Sequence, residues 1–169
     1  MKNPASILHM YAISPCHAGS GSSTGVVDLP IQRERHTNWP VIQASGMKGA
    51  MRAHFDRYKD AITNRPEGEQ FKQLTDLIFG SETSEYAGSL TVSDAKILAF
   101  PMRSNVAPFV WVTCPAVLKR LNKDLQLAGK KELDMDLAEI LALPVEKALW
   151  FSGTFQKGDR ILLEDMEVL

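Results

Sequence analysis

Cysteine is almost missing from this sequence: of 169 residues only Cys16 and Cys114 carry a thiol, and they stand far apart. That spacing excludes a CxxC metal or redox pair, and so few thiols suit a reduced, cytoplasmic compartment. No stretch approaches the ~20 consecutive apolar residues that a membrane-spanning helix needs, so no membrane partner is expected. The first apolar run, Ile7 to Ile13, has neither a basic leader nor a small-residue cleavage site, which argues against a signal peptide. It reads as a first strand over Ile7–Ser14, stopped by Pro15. A strong charge of either sign is also lacking. The formal net charge is −1, so bulk electrostatics do not announce a nucleic-acid partner. The GxxxxGK[ST] order of a phosphate-binding P-loop is absent, and no internal repeat is evident.

What is present suits one soluble globular domain over 1–169, with 44% apolar and 23% charged residues. Charge is unevenly distributed. Residues 1–65 hold eight Lys or Arg against four Asp or Glu, whereas 66–169 hold eleven against sixteen. The amino-terminal third is therefore the part able to attract phosphate, and the remainder is a neutral-to-acidic scaffold.

Residues 16–38 form a long stretch rich in Gly, Ser and Thr that also carries His17, Asp28, Arg33, Arg35 and His36. Long loops of such mixed chemistry inside a compact domain tend to be functional or disordered. A helix starts near Ser45, where Met47, Met51, Phe55, Tyr58 and Ile62 recur at the spacing of one buried face. Further helices are expected over Glu69–Ile78 (closed by Gly80), from Pro115 to about Leu127, and over Asp136–Leu143. Strands are expected over Leu90–Phe100, with Pro101 blocking extension, and over Phe109–Thr113. Ala148–Ser152 and Arg160–Leu163 are expected to pair with each other. The order is α+β, compatible with a ferredoxin-like or RRM-like core carrying insertions.

Two segments carry candidate chemistry. At the start of the helix, Ser45 can cap, Gly46 and Gly49 permit close approach, and Lys48 and Arg52 can bind phosphate beside the exposed N–H groups of a helix terminus. A capped amphipathic helix with two solvated cations would show the same pattern. In the long loop, glycines and hydroxyls offer donors to a nucleic-acid backbone, and Arg33 and Arg35 offer cations. Asp28 is the sole carboxylate before Glu34. It is a candidate Mg²⁺ ligand or proton acceptor, or else a turn residue paired with Arg33 or Arg35. His17 is a base, a phosphate contact or a loop hydrogen-bonder. Asp94 is expected to contact a neighbouring loop in a structural role. Of the tryptophans, Trp111 and Trp150 are assigned to the core, and only Trp39 is kept as a stacking candidate.

Together, HAGSGSSTGVVDLPIQRE (17–34), PVIQASGMKGAMR (40–52), IFGS (78–81), AGSLTVSDAKILAFPMRS (87–104) and VWVTCPAVLKRL (110–121) resemble a known family. It is that of the repeat-associated mysterious proteins (RAMPs) of CRISPR systems, in particular the Cas7-like backbone subunits of type III-B (Cmr) complexes. The resemblance covers nearly the whole chain. It implies a modified ferredoxin-like fold with long loop insertions, and subunits that stack as a helical filament along a guide CRISPR RNA beside other Cmr subunits. It also implies a metal-dependent endoribonuclease, using Mg²⁺ or another divalent ion, that cuts complementary target RNA at regular intervals within the assembled complex. By the same resemblance Asp28 inherits the catalytic role, as metal ligand or general base, with His17 as an auxiliary. Ser45, Lys48, Gly49 and Arg52 are implied to hold guide phosphates. A non-catalytic RNA-binding or subunit-interaction module is the other reading. Members of the family are considerably longer, so the chain is expected to be an incomplete RAMP domain at its carboxyl end.

Overall fold

Three of the four helices fall where apolar periodicity places them. The computed structural model describes residues 4–21, 29–62, 64, 66–83, 85–144, 147–149 and 160–168. Its elements are β1 (Val41–Ile42), α1 (Ala44–Arg57), a 3₁₀ turn (Lys59–Ala61), α2 (Gly68–Phe79), β2 (Ala95–Lys96), β3 (Phe100–Met102), β4 (Val110–Val112), α3 (Pro115–Leu127), α4 (Leu137–Leu141), β5 (Ile161–Leu163) and β6 (Met166–Val168). Three antiparallel two-stranded ladders join β1 to β2, β3 to β4 and β5 to β6. The chain divides into two compact units, Ser14–Lys96 and Met1–Ile13 with Ile97–Leu169.

In the Ser14–Lys96 unit, α1 and α2 pack through aromatic rings. Phe55 stacks on Phe71, with centroids 5.3 Å apart and planes 7° from parallel, and meets Phe79 at 5.7 Å. Val41, Phe71, Thr75 and Gly80 are its buried residues among those described. The Thr75 hydroxyl donates to the Phe71 carbonyl, so the buried polar group is satisfied. Met47, Met51 and Phe55 line the inner face of α1, but none is fully buried. Tyr58, expected on that face, lies beyond the helix end and is exposed.

Helix α2 ends at Gly80, whose φ of 95° a side chain would strain. The following chain then folds back against the helix end. Ser89 and Leu90 donate to the carbonyls of Leu77 and Ile78, and Gly80 pairs with Ala87. The backbones cross so closely at Gly88 that a Cβ there would lie 2.4 Å from Gly80 N, Ile78 O and Phe79 C. The motifs at 78–81 and 87–95 are therefore one backbone crossing. This crossing also shortens the strand expected over Leu90–Phe100. Its first residues are tied to α2, Asp94 turns towards α1, and only Ala95–Lys96 remain to pair with Val41–Ile42.

In the other unit, β3 runs through Pro101, which pairs with Trp111. Proline was expected to end a strand here. It is accommodated because a two-stranded ladder has only edge strands, where a missing N–H costs little. Pro115 opens α3, and a Schellman motif closes it: Lys130 N–H donates to Leu125 O and Gly129 N–H to Gln126 O, with Gly129 at φ 66°. Val117 and Leu118 on α3, with Ile161 and Leu163 on β5, are the buried apolar residues described in this unit. The Asp136 carboxylate caps the short α4 through Ala138 N and Glu139 N.

One expected strand needs correction. Residues 7–14 form no strand in the structure. No segment among the described residues pairs with them, and Leu8, Tyr11 and Ile13 stay exposed. β5 pairs downstream with β6 across a two-residue turn. Of the partner expected over 148–152, residues 150–152 lie outside the described set.

The β5–β6 turn is held by Glu164, at φ 54°. Its carboxylate accepts from the Arg103 backbone N–H at 3.0 Å and from Arg103 Nε at 2.8 Å, and its own N–H donates to Arg103 O. The Arg103 hydrogen bonds hold this carboxyl below the usual carboxylate range. A depressed folded-state value means the clamp is fully formed above the ordinary carboxylate pKa and weakens as pH falls through the depressed value. Amide exchange across Leu162–Val168 is expected to quicken as pH drops below about 4, after correction for intrinsic rates. Glu164→Gln should abolish that dependence. Gly88→Ala is expected to lower stability by about 1–3 kcal/mol, read from the denaturant midpoint, since backbone atoms cannot yield to the new methyl.

Candidate functional site

The glycine-rich segment is paired, not loose. Residues 17–20 run antiparallel to 29–32: Gly19 bridges Ile31, Ser20 N–H donates to Pro30 O, and Gln32 N–H donates to Ala18 O at 2.7 Å. The second limb pairs on its other side with 39–41, where Arg33 bridges Pro40 and Val41 N–H donates to Gln32 O. Since β1 continues from that limb and pairs with β2, four segments form one antiparallel ribbon in the order 18–20, 30–34, 39–42, 95–96. Residues 22–28, between the first two limbs, lie outside the described residues. Asp28 is among them, and no geometry is assigned to it.

His17 ties the first limb of this stem to the second, its Nε2 lying 2.7 Å from the Leu29 carbonyl oxygen. A carbonyl only accepts, so Nε2 carries the proton. In the neutral ring the basic nitrogen is then Nδ1. Between the second and third limbs, Asn38 sits in the left-handed region at φ 60°. The Thr37 hydroxyl donates to Glu34 Oε2 at 2.6 Å, and Arg33 donates to Asn38 O. Arg33 thus holds a turn, while Arg35 is exposed at its tip and pairs with no carboxylate among the described residues.

The ribbon delivers the chain into α1. Gln43, not Ser45, occupies the cap position, and its own side chain caps nothing. Remote groups take the first amides instead: Gln32 Oε1 accepts from Gln43 N–H at 2.9 Å and Asp94 Oδ1 from Ala44 N–H at 2.7 Å. Asp94 therefore has the structural role expected of it. Ser45 is an exposed first-turn residue, and its N–H and that of Gly46 have no partner among the described residues. Gly46 and Gly49 are exposed, and a Cβ at either would meet nothing within 4 Å. Packing inside the described chain thus gives no reason for these glycines. Lys48 is half-buried and has no ion pair among the described residues.

Arg52 is committed within the fold. One nitrogen donates to Gly80 O at 2.5 Å, and the other lies 2.6 Å from Asp76 Oδ1 and 3.4 Å from Glu82 Oε1. Its side chain is only 20% exposed. It neutralises Asp76 and a terminal carbonyl at the negative end of the α2 dipole, bracing α1 against α2. Sequence spacing places Lys48 and Arg52 one turn apart but cannot show that Asp76 claims the second. It likewise gave no sign of Gln32, whose role depends on contacts made by both side-chain ends. One tryptophan also departs from expectation. Trp111 is 47% exposed and packs with Tyr11 at 5.5 Å and Phe109 at 5.7 Å. Trp39 is half-buried, and Trp150 lies outside the described residues.

An open helix face with two unpaired N–H groups, two bare glycines and one cation suits close approach of a phosphodiester backbone. The sequence pattern that defines the RAMP superfamily matches residues 9–161. The chain belongs to the RAMP superfamily. It is 36% identical over 168 residues to the CRISPR system Cmr endoribonuclease Cmr4 of Pyrococcus furiosus, covering 98% of this chain and 52% of that protein. A crystal structure of oligomeric Cmr4 from P. furiosus superposes with a TM-score of 0.68 at 33% identity, over 94% of this chain and 52% of that one. The apo type III-B Cmr-beta cryo-EM structure, at 23% identity and a TM-score of 0.61 over 94% of this chain and 56% of that one, shares the fold. The RAMP chain spans about half the length of the curated relative it matches. No helix among its described residues is long and apolar enough to cross a membrane. Nor do those residues assemble three or more His, Cys, Asp or Glu side chains into a group that would hold a metal ion.

The two cations of α1 should separate experimentally. Arg52→Met is expected to cost about 1–3 kcal/mol of stability, because Asp76 and the Gly80 carbonyl lose their donor. Lys48→Ala should leave stability within about 0.5 kcal/mol and reduce the salt slope of RNA binding by about one. Chemical denaturation and filter binding at graded salt read the two effects.

Proposed function

We propose that this chain supplies the guide-RNA-binding part of a backbone subunit in a type III-B CRISPR effector complex, where complementary target RNA is cut at regular intervals. The single observation that carries this reading is the 36% identity to a Cmr endoribonuclease across 98% of the chain. The open start of α1 supports it. There Ser45, Gly46, Lys48 and Gly49 offer N–H groups, close approach and a positive charge to guide phosphates, with Arg33 and Arg35 on the adjoining ribbon. The partners in this reading are the guide RNA, the target RNA, other Cmr subunits and further copies of the same subunit in a filament. The reaction would take place in the cytoplasm, where the free thiols of Cys16 and Cys114 stay reduced.

RNA carries its own nucleophile, the 2′-OH. Catalysis therefore needs in-line geometry, removal of that proton and neutralisation of charge on the phosphorus centre. Asp28 is the residue proposed to act on the 2′-OH, as proton acceptor or as ligand to a divalent ion. With Nε2 engaged, His17 has Nδ1 left to accept a proton or hydrogen-bond the backbone.

Asp28→Ala, in the full-length subunit within its complex, is expected to lower target cleavage by at least about 10²–10⁴-fold. Guide RNA should stay bound. Unchanged cutting would refute the catalytic assignment. Binding without cleavage in the unaltered complex, under every divalent ion tried, would leave a purely structural RNA-binding role.

A further inference from the structure

Gln32 uses every hydrogen-bonding group it has to join parts of the proposed interface. Its backbone N–H donates to Ala18 O at 2.7 Å, and its carbonyl accepts from Val41 N–H at 3.0 Å. Its side-chain Nε2 donates to Gly19 O at 2.9 Å, and Oε1 accepts from Gln43 N–H at 2.9 Å. The orientation of the amide is fixed by its neighbours, since a backbone carbonyl only accepts and a backbone N–H only donates. Reversing it would set donor against donor and acceptor against acceptor. One half-buried side chain thus spans from the limb that carries His17 to the residue capping α1, ahead of Ser45 and Lys48.

We propose that Gln32 is a positioning residue: it sets the register between the 17–20/29–34 stem and the start of α1, so that guide RNA seated at α1 presents its paired target strand to the stem. The proposal rests on the RNA-cleaving reading above. The span calls for a donor at one end, an acceptor at the other and the length of glutamine. Glutamate keeps the acceptor for Gln43 N–H, but when ionised it faces the Gly19 carbonyl with a second acceptor. Methionine keeps the length and loses both groups. Neither change touches the Phe55–Phe71 stack or the Arg52–Asp76 pair, which hold the helices together.

The test uses Gln32→Glu and Gln32→Met in the full-length subunit within the assembled complex. At saturating target RNA, both are expected to cut roughly tenfold to a hundredfold more slowly. Guide-RNA affinity should stay within about twofold, the scale of a lost peripheral contact. Measured against the unaltered complex at the same pH, glutamate alone should recover as pH falls towards the carboxyl range near ~4.3, because the protonated acid again offers a donor to Gly19. A merely destabilising substitution would not produce that recovery. Cleavage equal to the unaltered complex would overturn the proposal, as would a parallel loss of thermal stability and guide binding without pH rescue. If the unaltered complex itself cuts nothing, the functional reading fails, and hydrogen exchange then decides this proposal separately. Exchange must quicken at residues 20 and 43–44, whose N–H groups are bonded across this junction, in both variants with α2 unchanged, and unaltered exchange there would overturn it.

Discussion

Helix α1 begins without a cap of its own. The first amides of a helix need partners, and Gln43 does not supply one from its side chain. Its own N–H is met by Gln32 and that of Ala44 by Asp94, fifty residues away. Because Gln32 lies in the ribbon and Asp94 directly precedes its last segment, the direction of the helix is set where the ribbon ends. A carboxylate at this terminus also takes part of the positive potential that would otherwise draw an anion. In the proposed reading, phosphate would therefore bind at the side of the first two turns, where Ser45, Gly46, Lys48 and Gly49 lie, and not on the axis of the helix.

The same reliance on remote partners recurs at the other end of the helix pair. Arg52 reaches from α1 to the last carbonyls of α2, and Gly88 lets the returning chain lie against the same helix end. With so few fully buried apolar residues described in this unit, directed polar contacts and close backbone crossings carry much of its specificity. That distribution has a functional side. Residues that look like ligands by their charge, Arg52 above all, are absorbed by the scaffold, while uncharged ones such as Gln32 become the link between the working parts.

The helices were legible in the sequence because each is long enough to show its period. α2 and α3 appear within a residue or two of expectation, with Pro115 and Gly80 marking boundaries, whereas α1 starts where expected but ends at Arg57, short of Tyr58 and Ile62. The ladders were not, since two or three residues are too short for alternation to register. The 16–38 segment reads as a loop because Gly, Ser and Thr give no hydrophobic pattern, yet its described limbs, 18–20 and 30–34, pair through the backbone. Pairing made by main-chain groups alone leaves no trace in side-chain identity. The family was legible from ordered motifs, whereas the partners of Arg52, Gln32 and Asp94 depend on residues brought together from distant parts of the chain.

Gly46 and Gly49 have a consequence for the economy of α1 itself. Each lowers helix stability by about 1 kcal/mol relative to alanine, and nothing inside the described chain fills the space beside them. The helix is held below its own optimum along one stripe. That stripe is smoother and narrower than any alanine surface, so a neighbouring molecule can lie a methyl's depth closer to the helix axis. The isolated fold would be stabler with that surface filled in. In the proposed assembly that shallowness would let the start of α1 serve as a bed for a neighbouring molecule.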